Sequence, residues 1–174
     1  YPIDLELTKT PENIRSLPEL LEEKSVLITE TSQSGDVELV HVKNLSEHYL
    51  FILDGEALTG AKQNRISQRS VLIAPNSESE IPVNCVERSR WSPGINGSFN
   101  RGDFVLPPSA RDKKSELMQR KMKNQIQNSV WNSVDELSMK HASFSPTSDL
   151  GEILDESEDI AQNLNFSEIN KIKC

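Results

Sequence analysis

The sequence predicts an α+β fold, in which an antiparallel β-sandwich or barrel-like core of about six strands carries a short N-terminal helix and C-terminal helices. Short apolar runs recur about every ten residues in the first half of the chain, with turn residues between them. The last third instead has apolar residues at amphipathic-helix spacing. With 174 residues, 35% of them hydrophobic, the chain can build a real core. We expect a β-rich core over residues 1–108 and a helical part over residues 109–174 packed on it.

The N-terminal half contains most of the predicted strands. Residues 1–8 alternate apolar and polar side chains, as a strand does, and residues 11–23 are predicted to form a helix with Thr10 as N-cap and Pro11 at its first position. Residues 49–53 do not alternate, so we expect a central strand that is covered on both faces. The predicted strands after the helix are residues 26–31, 37–43, 49–54, 70–74 and 79–87.

The second half is predicted to be a loop followed by helices. Several glycines interrupt the pattern over residues 93–108, which indicates a loop. A helix is predicted to begin at Ser109, with a break near residues 124–128, where Asn and Ser crowd. Residues 145–147 are predicted to end this helix, and a last helix with an apolar side follows from Leu150.

Charge is unevenly distributed along this acidic chain, whose net charge is −8. Residues 60–123 carry 12 Lys and Arg against 6 Asp and Glu, whereas the segments before and after are strongly acidic. An acidic protein is a poor general nucleic-acid binder, because duplex affinity comes largely from phosphate neutralisation. The basic middle therefore predicts either a confined anion site or ion pairs with the acidic flanks.

Several classes of protein are excluded or made less plausible by what the sequence lacks. No run of about 18 apolar residues predicts a membrane span, and no signal peptide is visible. Cys85 and Cys174 cannot make a disulfide framework, which fits a reducing, cytoplasmic location. The absence of an initiator Met and the end at Cys174 lead us to expect a piece of a longer chain.

The sequence predicts no metal site and no cofactor. Its three histidines are scattered, and neither a Cys pair nor a His-x-x-x-His spacing occurs. The acidic cluster over residues 149–159 lacks the Gly and the alternation of a calcium loop, so we interpret it as a solvated helix face. No phosphate-binding Gly-x-x-x-x-Gly-Lys and no dinucleotide fingerprint is present.

The polar run from Glu56 to Arg65 is the first candidate site, because it directly follows a predicted buried strand. Gly55 and Gly60 allow the backbone to bend close to a ligand. The run ends in four consecutive long polar side chains, Lys62, Gln63, Asn64 and Arg65, whose donors suit phosphate or carboxylate oxygens. The alternative interpretation is a solvated hairpin arm.

The end of the last predicted strand is the second candidate site. An Arg and a Trp together, here Arg90 and Trp91, can hold an anionic, planar ligand by charge and stacking. The alternative is a core Trp beside a surface salt bridge. Cys85 shares a strand face with Ile81 and Val83, so we interpret it as a small buried hydrophobic residue rather than a nucleophile.

Several segments together resemble one family, the ARG- and rhodanese-phosphatase-superfamily-associated protein domain of prokaryotes. The resemblance covers about residues 1–150, and the Gly-x-Lys-Gln-Asn-Arg block is its most specific part. It implies an association with ADP-ribosylglycohydrolases and with rhodanese or phosphatase proteins, and so nucleotide or ADP-ribose metabolism. Family members usually continue into a further β-hairpin and helix, which implies truncation after Cys174. The matching segments are 53–65, 70–75, 81–91, 107–109 with Arg111, 130–131 and 145–147.

We therefore predict a domain that binds a phosphate-, nucleotide- or ADP-ribose-like anion through the Lys-Gln-Asn-Arg segment. One alternative is a hydrolase or transferase with Glu56 or Glu87 as general base. The other is a non-catalytic protein-interaction module whose acidic helical tail docks onto a basic partner. The candidate ligand-binding residues are Lys62, Gln63, Asn64, Arg65, Arg90, Trp91 and Arg111.

Overall fold

The computed structural model describes residues 13–32, 34–91 and 97–156. The strand expected over residues 1–8 and the cap expected at Thr10 lie outside these ranges. A last helix takes residues 150–156. The elements before it are β1 (Ile14–Ser16), α1 (Leu17–Glu22), β2 (Val26–Glu30), β3 (Leu39–Asn44), β4 (Tyr49–Ile52), β5 (Glu56–Gly60), β6 (Arg65–Ser67), β7 (Val71–Ile73), β8 (Ser77–Cys85), β9 (Ser98–Val105), α2 (Pro108–Gln119) and α3 (Lys123–His141).

Six strands close into a barrel in the order β2-β3-β8-β6-β5-β9, and every pair in it is antiparallel. Closure leaves the barrel without free edges for unwanted strand pairing. A second, three-stranded sheet has the order β1-β4-β7, with β1 parallel to β4. The predicted α+β class, with a barrel-like core of six strands, a short N-terminal helix and C-terminal helices, is confirmed.

Two clusters of buried apolar side chains hold the fold together. The first joins the barrel to α1 and the three-stranded sheet, for example through Ile28, Val83 and Leu50. The second joins the barrel strands β5 and β6 to the helices, and it includes Ala57, Ile66, Ala110, Val130, Val134, Leu150 and Ile153. Each large apolar side chain buried in this way contributes about 1.5–3 kcal/mol. The helices therefore pack on the outside of the barrel wall formed by β5 and β6.

The predicted helix over residues 11–23 is wrong for residues 13–16, whereas residues 11–12 lie outside the described ranges. Residues 14–16 pair with β4 as strand β1, and α1 begins only at Leu17. The reason lies in the capping: the backbone N–H and the hydroxyl of Ser16 both donate to the Glu19 carboxylate, at 2.8 and 2.7 Å. Such a bond satisfies one of the donors that a helix start leaves free.

Strand β4 was expected to be covered on both faces, and this prediction is wrong. Leu50 and Ile52 are fully buried, but Tyr49 and Phe51 are 38% and 36% exposed. The strand does alternate between two faces, and the sequence hides this because the exposed positions are aromatic.

The loop predicted over residues 93–108 is also wrong, because strand β9 (Ser98–Val105) occupies half of it. Gly102 was read as a breaker, but it lies within the strand. A Cβ atom at Gly102 would lie only 2.6 Å from the Ala57 Cβ on β5. The glycine is therefore required by close strand packing rather than by a turn.

The helical part follows the prediction with shifted boundaries. α2 has Pro107 rather than Ser109 as its N-cap residue, and the helix break falls at Arg120–Met122 rather than near residues 124–128. Lys121 adopts a positive φ of 59°, which closes this turn. The expected break at residues 145–147 and the restart at Leu150 are confirmed. None of the helices in the described ranges has the length and apolar character needed to cross a membrane.

Candidate functional site

The polar run of residues 56–65 folds as a hairpin in the barrel wall. β5 and β6 pair with Ala57 opposite Ile66 and Leu58 opposite Arg65. Both strands are largely buried, so the alternative of a solvated arm is also wrong. The turn between the strands begins at Gly60, whose φ is 109°. The sequence missed both strands because their buried side chains are in large part polar.

Arg65 is a structural residue of the barrel interior, where its side chain is fully buried. One guanidinium nitrogen lies 3.0 Å from the Glu30 carboxylate, and the other donates to the carbonyl oxygens of Leu39, at 3.1 Å, and Asp36. Its guanidinium carbon also lies 5.3 Å from the centre of the Phe99 ring. Arg65 therefore holds strands and the β2–β3 connection together and is not available to a ligand.

Lys62 and Trp91 lie together at one end of the barrel. The Lys62 Nζ is 5.5 Å from the centre of the Trp91 ring, a cation–π distance. The ring also contacts Gly35 of the β2–β3 connection, since a Cβ there would lie 3.3 Å from it. Trp91 is 48% exposed and does not line the groove described below, which Arg90 does line.

Arg90 instead fastens the β5–β6 turn to the segment after β8. Its guanidinium forms an ion pair with the Glu87 carboxylate at 2.7 Å. It also donates to the Ala61 carbonyl oxygen at 2.9 Å and to the Asn64 Oδ1 at 3.0 Å. Glu87 accepts in addition from the Asn64 backbone N–H at 3.0 Å, and its carbonyl oxygen accepts from the buried Gln63 side chain.

Asp149 connects this network to the C-terminal helix. Its carboxylate accepts from the Asn64 side chain and from the backbone N–H groups of Gly151 and Glu152, at 2.7 and 3.2 Å. These two N–H groups belong to the first turn of the helix, so Asp149 caps it. Burial raises the pKa of the Asp149 carboxyl, and the Glu87 charge raises it further.

A groove of about 480 Å³ opens over this network, between the barrel face formed by β5 and β9 and the helix of residues 150–156. Its size suits a small ligand. Of the nine sequence-predicted site residues, Asn64, Glu87 and Arg90 line it. The complete lining is Thr59, Asn64, Glu87, Arg90, Arg101, Gly102, Asp103, Phe104, Thr147, Asp149, Gly151, Glu152 and Asp155.

Glu56 and Arg111 do not line the groove, and both serve the β4–β5 turn. The Glu56 carboxylate accepts from the Leu53 backbone N–H at 2.9 Å, and burial raises the pKa of its carboxyl, against a smaller opposing effect of Arg101. Arg111 packs against Gly55, where a Cβ would lie 2.9 Å from the Arg111 Cδ.

Sequence reasoning missed Arg101, Asp103 and Asp149. The first two lay in the segment read as a loop, and residues 99–105 show no apolar–polar alternation that would have marked a strand. Asp149 was read as part of a solvated helix face, but it is 3% exposed. Its position just before an apolar helical stretch was the signal that would have identified an N-cap.

The groove is mainly acidic, with five carboxylates against two arginines. Glu87 pairs with Arg90, whereas the guanidinium of Arg101 makes no ion pair or hydrogen bond with the described residues, although its charge acts on Glu56. Within the described ranges, no three His, Cys, Asp or Glu side chains are grouped so that they could hold a metal ion. Arg101 is thus the cation of the groove that a ligand can reach without displacing another group.

Among the described residues, four of the 12 Lys and Arg residues of the basic middle pair with the acidic flanks, as one of the two charge predictions expected. Arg65 and Lys114 pair with Glu30 and Asp54 from the N-terminal segment. Arg88 and Lys113 pair with acidic residues of α3. These pairs fix β strands and helices to one another.

A family model described as "ARG and Rhodanese-Phosphatase-superfamily-associated Protein domain" (ARPP-1) matches residues 1–169 of the chain. A search of curated proteins and a search of solved structures found no match. The matched range includes the polar run and every residue that lines the groove. The chain therefore belongs to the ARPP-1 domain family.

Proposed function

We propose that the domain is a binding module for a phosphorylated, nucleotide-like ligand and that the groove is its site. The observation that supports this most is the mixture of groups in the groove: Arg101, which makes no hydrogen bond or ion pair with the described residues, stands beside several carboxylates. An arginine suits a phosphate group, and a carboxylate accepts hydrogen bonds from sugar hydroxyls. The Lys-Gln-Asn-Arg segment contributes to this site only through Asn64, because its other three side chains are used elsewhere in the fold.

The charges of the groove restrict the ligand further. Phosphate oxygens bound at Arg101 would lie close to Asp103, and like charges repel strongly where solvent is partly excluded. Arg90 cannot compensate, since it is already paired with Glu87. We therefore expect one phosphate group next to a ribosyl or similar polyhydroxylated group, rather than a chain of phosphates.

Thermal unfolding with ribose 5-phosphate, ribose, inorganic phosphate, AMP and ADP-ribose tests this proposal. A ligand at a hundred times its Kd stabilises the folded state by about 2.7 kcal/mol. For a domain of this size, this raises Tm by roughly 5–10 °C. We expect ribose 5-phosphate and AMP to raise Tm more than ribose or phosphate alone. If none of the five raises Tm at millimolar concentration, the proposal is wrong.

Two substitutions in the groove have opposite expected effects on the Kd of ribose 5-phosphate. Arg101→Gln removes the phosphate partner and should raise Kd about 10- to 100-fold, the usual range for a charged hydrogen bond. Asp103→Asn removes a repelling charge and should lower Kd. Arg120→Gln is the matched control, because Arg120 is exposed at the end of α2 and lies outside the groove. Equal Kd values for the Arg101 and Arg120 variants would contradict the assigned site.

A second candidate function, hydrolysis or group transfer, is favoured by the carboxyl groups of Glu87 and Asp149, which both line the groove. Burial raises the pKa of Asp149, which suits a general acid, while Glu87 is held as the partner of Arg90. Release of phosphate or sugar from AMP or ADP-ribose would reveal such an activity. Asp149→Asn should then abolish turnover while ligand binding persists. Unchanged turnover in this variant would exclude Asp149 as the acid.

A further inference from the structure

A second cavity, of about 270 Å³, lies between the barrel and the beginning of α3. It shares no lining residue with the groove. Its residues come from the chain just before and at the start of β3, from the β6–β7 connection, from β8 and from α3. They are Val37, Glu38, Leu39, Gln68, Pro82, Asn84, Lys123, Ile126 and Gln127.

Four of the nine lining residues of this cavity are apolar, and its two charged residues have opposite signs. Val37, Leu39 and Ile126 contribute aliphatic surface, and Val37 is 45% exposed. Glu38 and Lys123 carry one charge of each sign. An occupant with a net charge would therefore gain from one of these two groups and lose to the other, which favours a neutral occupant.

The polar groups inside the cavity are three carboxamides joined in a chain. The Gln68 Nε2 donates to the Asn84 Oδ1, and the Asn84 Nδ2 donates to the Gln127 Oε1, both at 3.3 Å. A carboxamide nitrogen carries two hydrogens, and each of these nitrogens uses one of them in the chain. Gln68 and Asn84 thus retain both donor and acceptor capacity.

Gln127 shows how this part of the barrel binds an amide. The pairing of β3 with β8 ends where Leu39 faces Pro82, so β3 does not reach Cys85. In place of a strand, the Gln127 Oε1 accepts from the Cys85 N–H at 3.0 Å, and the Gln127 Nε2 donates to the Cys85 carbonyl oxygen at 2.9 Å. These are the two bonds that a neighbouring strand would form.

We propose that this cavity binds a small neutral molecule that carries a carboxamide on an apolar body. The carboxamide joins the chain formed by Gln68, Asn84 and Gln127, and the apolar body contacts Val37 and Ile126. A carboxylate offers no donor and is repelled by Glu38, and an ammonium group offers no acceptor and is repelled by Lys123. This site is independent of the ligand proposed for the groove.

NMR titration of the ¹⁵N-labelled protein with isobutyramide tests the proposal directly. We expect saturable shifts of the side-chain NH₂ signals of Gln68, Asn84 and Gln127. Isobutyrate and isopropylamine, which keep the apolar body, should bind at least about tenfold more weakly, because each leaves polar groups unpaired. Equal shifts with all three compounds, or no saturation at concentrations on the order of tens of millimolar, would overturn it.

Two variants separate binding from folding. Val37→Trp fills the cavity from its exposed rim and should abolish the isobutyramide shifts. Leu72→Trp is the matched control, because Leu72 is 52% exposed on β7 and lies outside the cavity, and it should bind as the unmodified protein does. Gln68→Leu keeps a wall of similar size and should weaken binding about tenfold. Unchanged binding by both Val37→Trp and Gln68→Leu would exclude the cavity as the site.

Discussion

The most informative residue is Arg65, which is buried inside the barrel although its neighbours in sequence led us to expect a ligand-binding residue. The residue type pointed to a bound anion, and the anion it binds is Glu30 of its own chain. Sequence shows that an arginine needs a partner, but it does not show whether the partner is a ligand or a residue 35 positions away.

Replacing Arg65 alone should lower the free energy of unfolding far more than replacing both Arg65 and Glu30. Arg65→Met leaves Glu30 buried without its cation and should lower the free energy of unfolding by about 3–5 kcal/mol. The double variant Arg65→Met, Glu30→Leu should recover most of that loss, because an apolar pair replaces a buried ion pair. Urea unfolding of the three variants, with Glu30→Leu included, measures this coupling. If the loss of stability in the double variant equals the sum of the two single losses, the residues are not coupled.

Cys85 gives a second prediction at this scale, because burial raises the pKa of its thiol from 9.0 to about 11. Between these two values the unfolded chain has lost the thiol proton and the folded chain keeps it. The free energy of unfolding should therefore fall as pH rises from 9 to 11. Two pKa units correspond to about 3 kcal/mol at most.

Comparison with Cys85→Ala isolates this effect from other groups that titrate at high pH, such as Lys114, whose pKa is lowered by burial. The stability difference between the two proteins should shrink steadily over this pH range when urea midpoints are compared at pH 8 and above. A difference that is independent of pH would show that the thiol does not titrate differently in the two states.

At the scale of elements, the sequence predicted those strands whose apolar and polar residues alternate in the usual way. β2, β3 and β8 were found on this basis. β5, β6 and β9 were missed because Glu56, Arg65 and Gly102 interrupt the apolar pattern that marks a strand. These missed strands include the barrel side of the groove, so the sequence located Asn64, Glu87 and Arg90 but could not supply Arg101 or Asp103.

The close packing of β9 against β5 predicts that even Gly102→Ala lowers the free energy of unfolding. Gly102→Ala places a Cβ 2.6 Å from the Ala57 Cβ and 2.9 Å from the Thr59 Cγ2, so one strand must move. We expect a loss of about 1–3 kcal/mol in the free energy of unfolding, as is usual for overpacking. Asn100→Ala, at an exposed position of the same strand, should have little effect. An unchanged free energy of unfolding for Gly102→Ala would mean that β5 and β9 can move apart at little cost.

At the scale of the whole molecule, barrel and helices are joined by apolar packing and by a buried charge. Ile66 of β6 and Val130 of α3 belong to one buried cluster. The fully buried Lys114 of α2 donates to Asp54 and to the carbonyl oxygens of Ser67 and Gln68. We therefore propose that the predicted division at residue 108 separates two kinds of secondary structure but not two independently folding units.

The two tryptophans test this cooperativity, because Trp91 lies at the barrel end and Trp131 on α3. In Trp131→Phe the fluorescence reports on the barrel, and in Trp91→Phe it reports on the helices. In each variant the fluorescence transition in urea should coincide with that of far-UV circular dichroism. Separate midpoints within one variant would mean that barrel and helices unfold independently.

The docking of residues 145–150 on the end of β8 also has a consequence for protein synthesis. The backbone N–H of Arg88 donates to the Thr147 carbonyl oxygen, and that of Leu150 donates to the Val86 carbonyl oxygen. Every barrel strand leaves the ribosome before this segment does, since a chain is made from its N-terminus. One wall of the groove is thus still missing from a nascent chain whose barrel strands have all emerged. We therefore expect the proposed ligand site to be complete only after Asp149 and the helix that it caps have followed the barrel strands out of the ribosome.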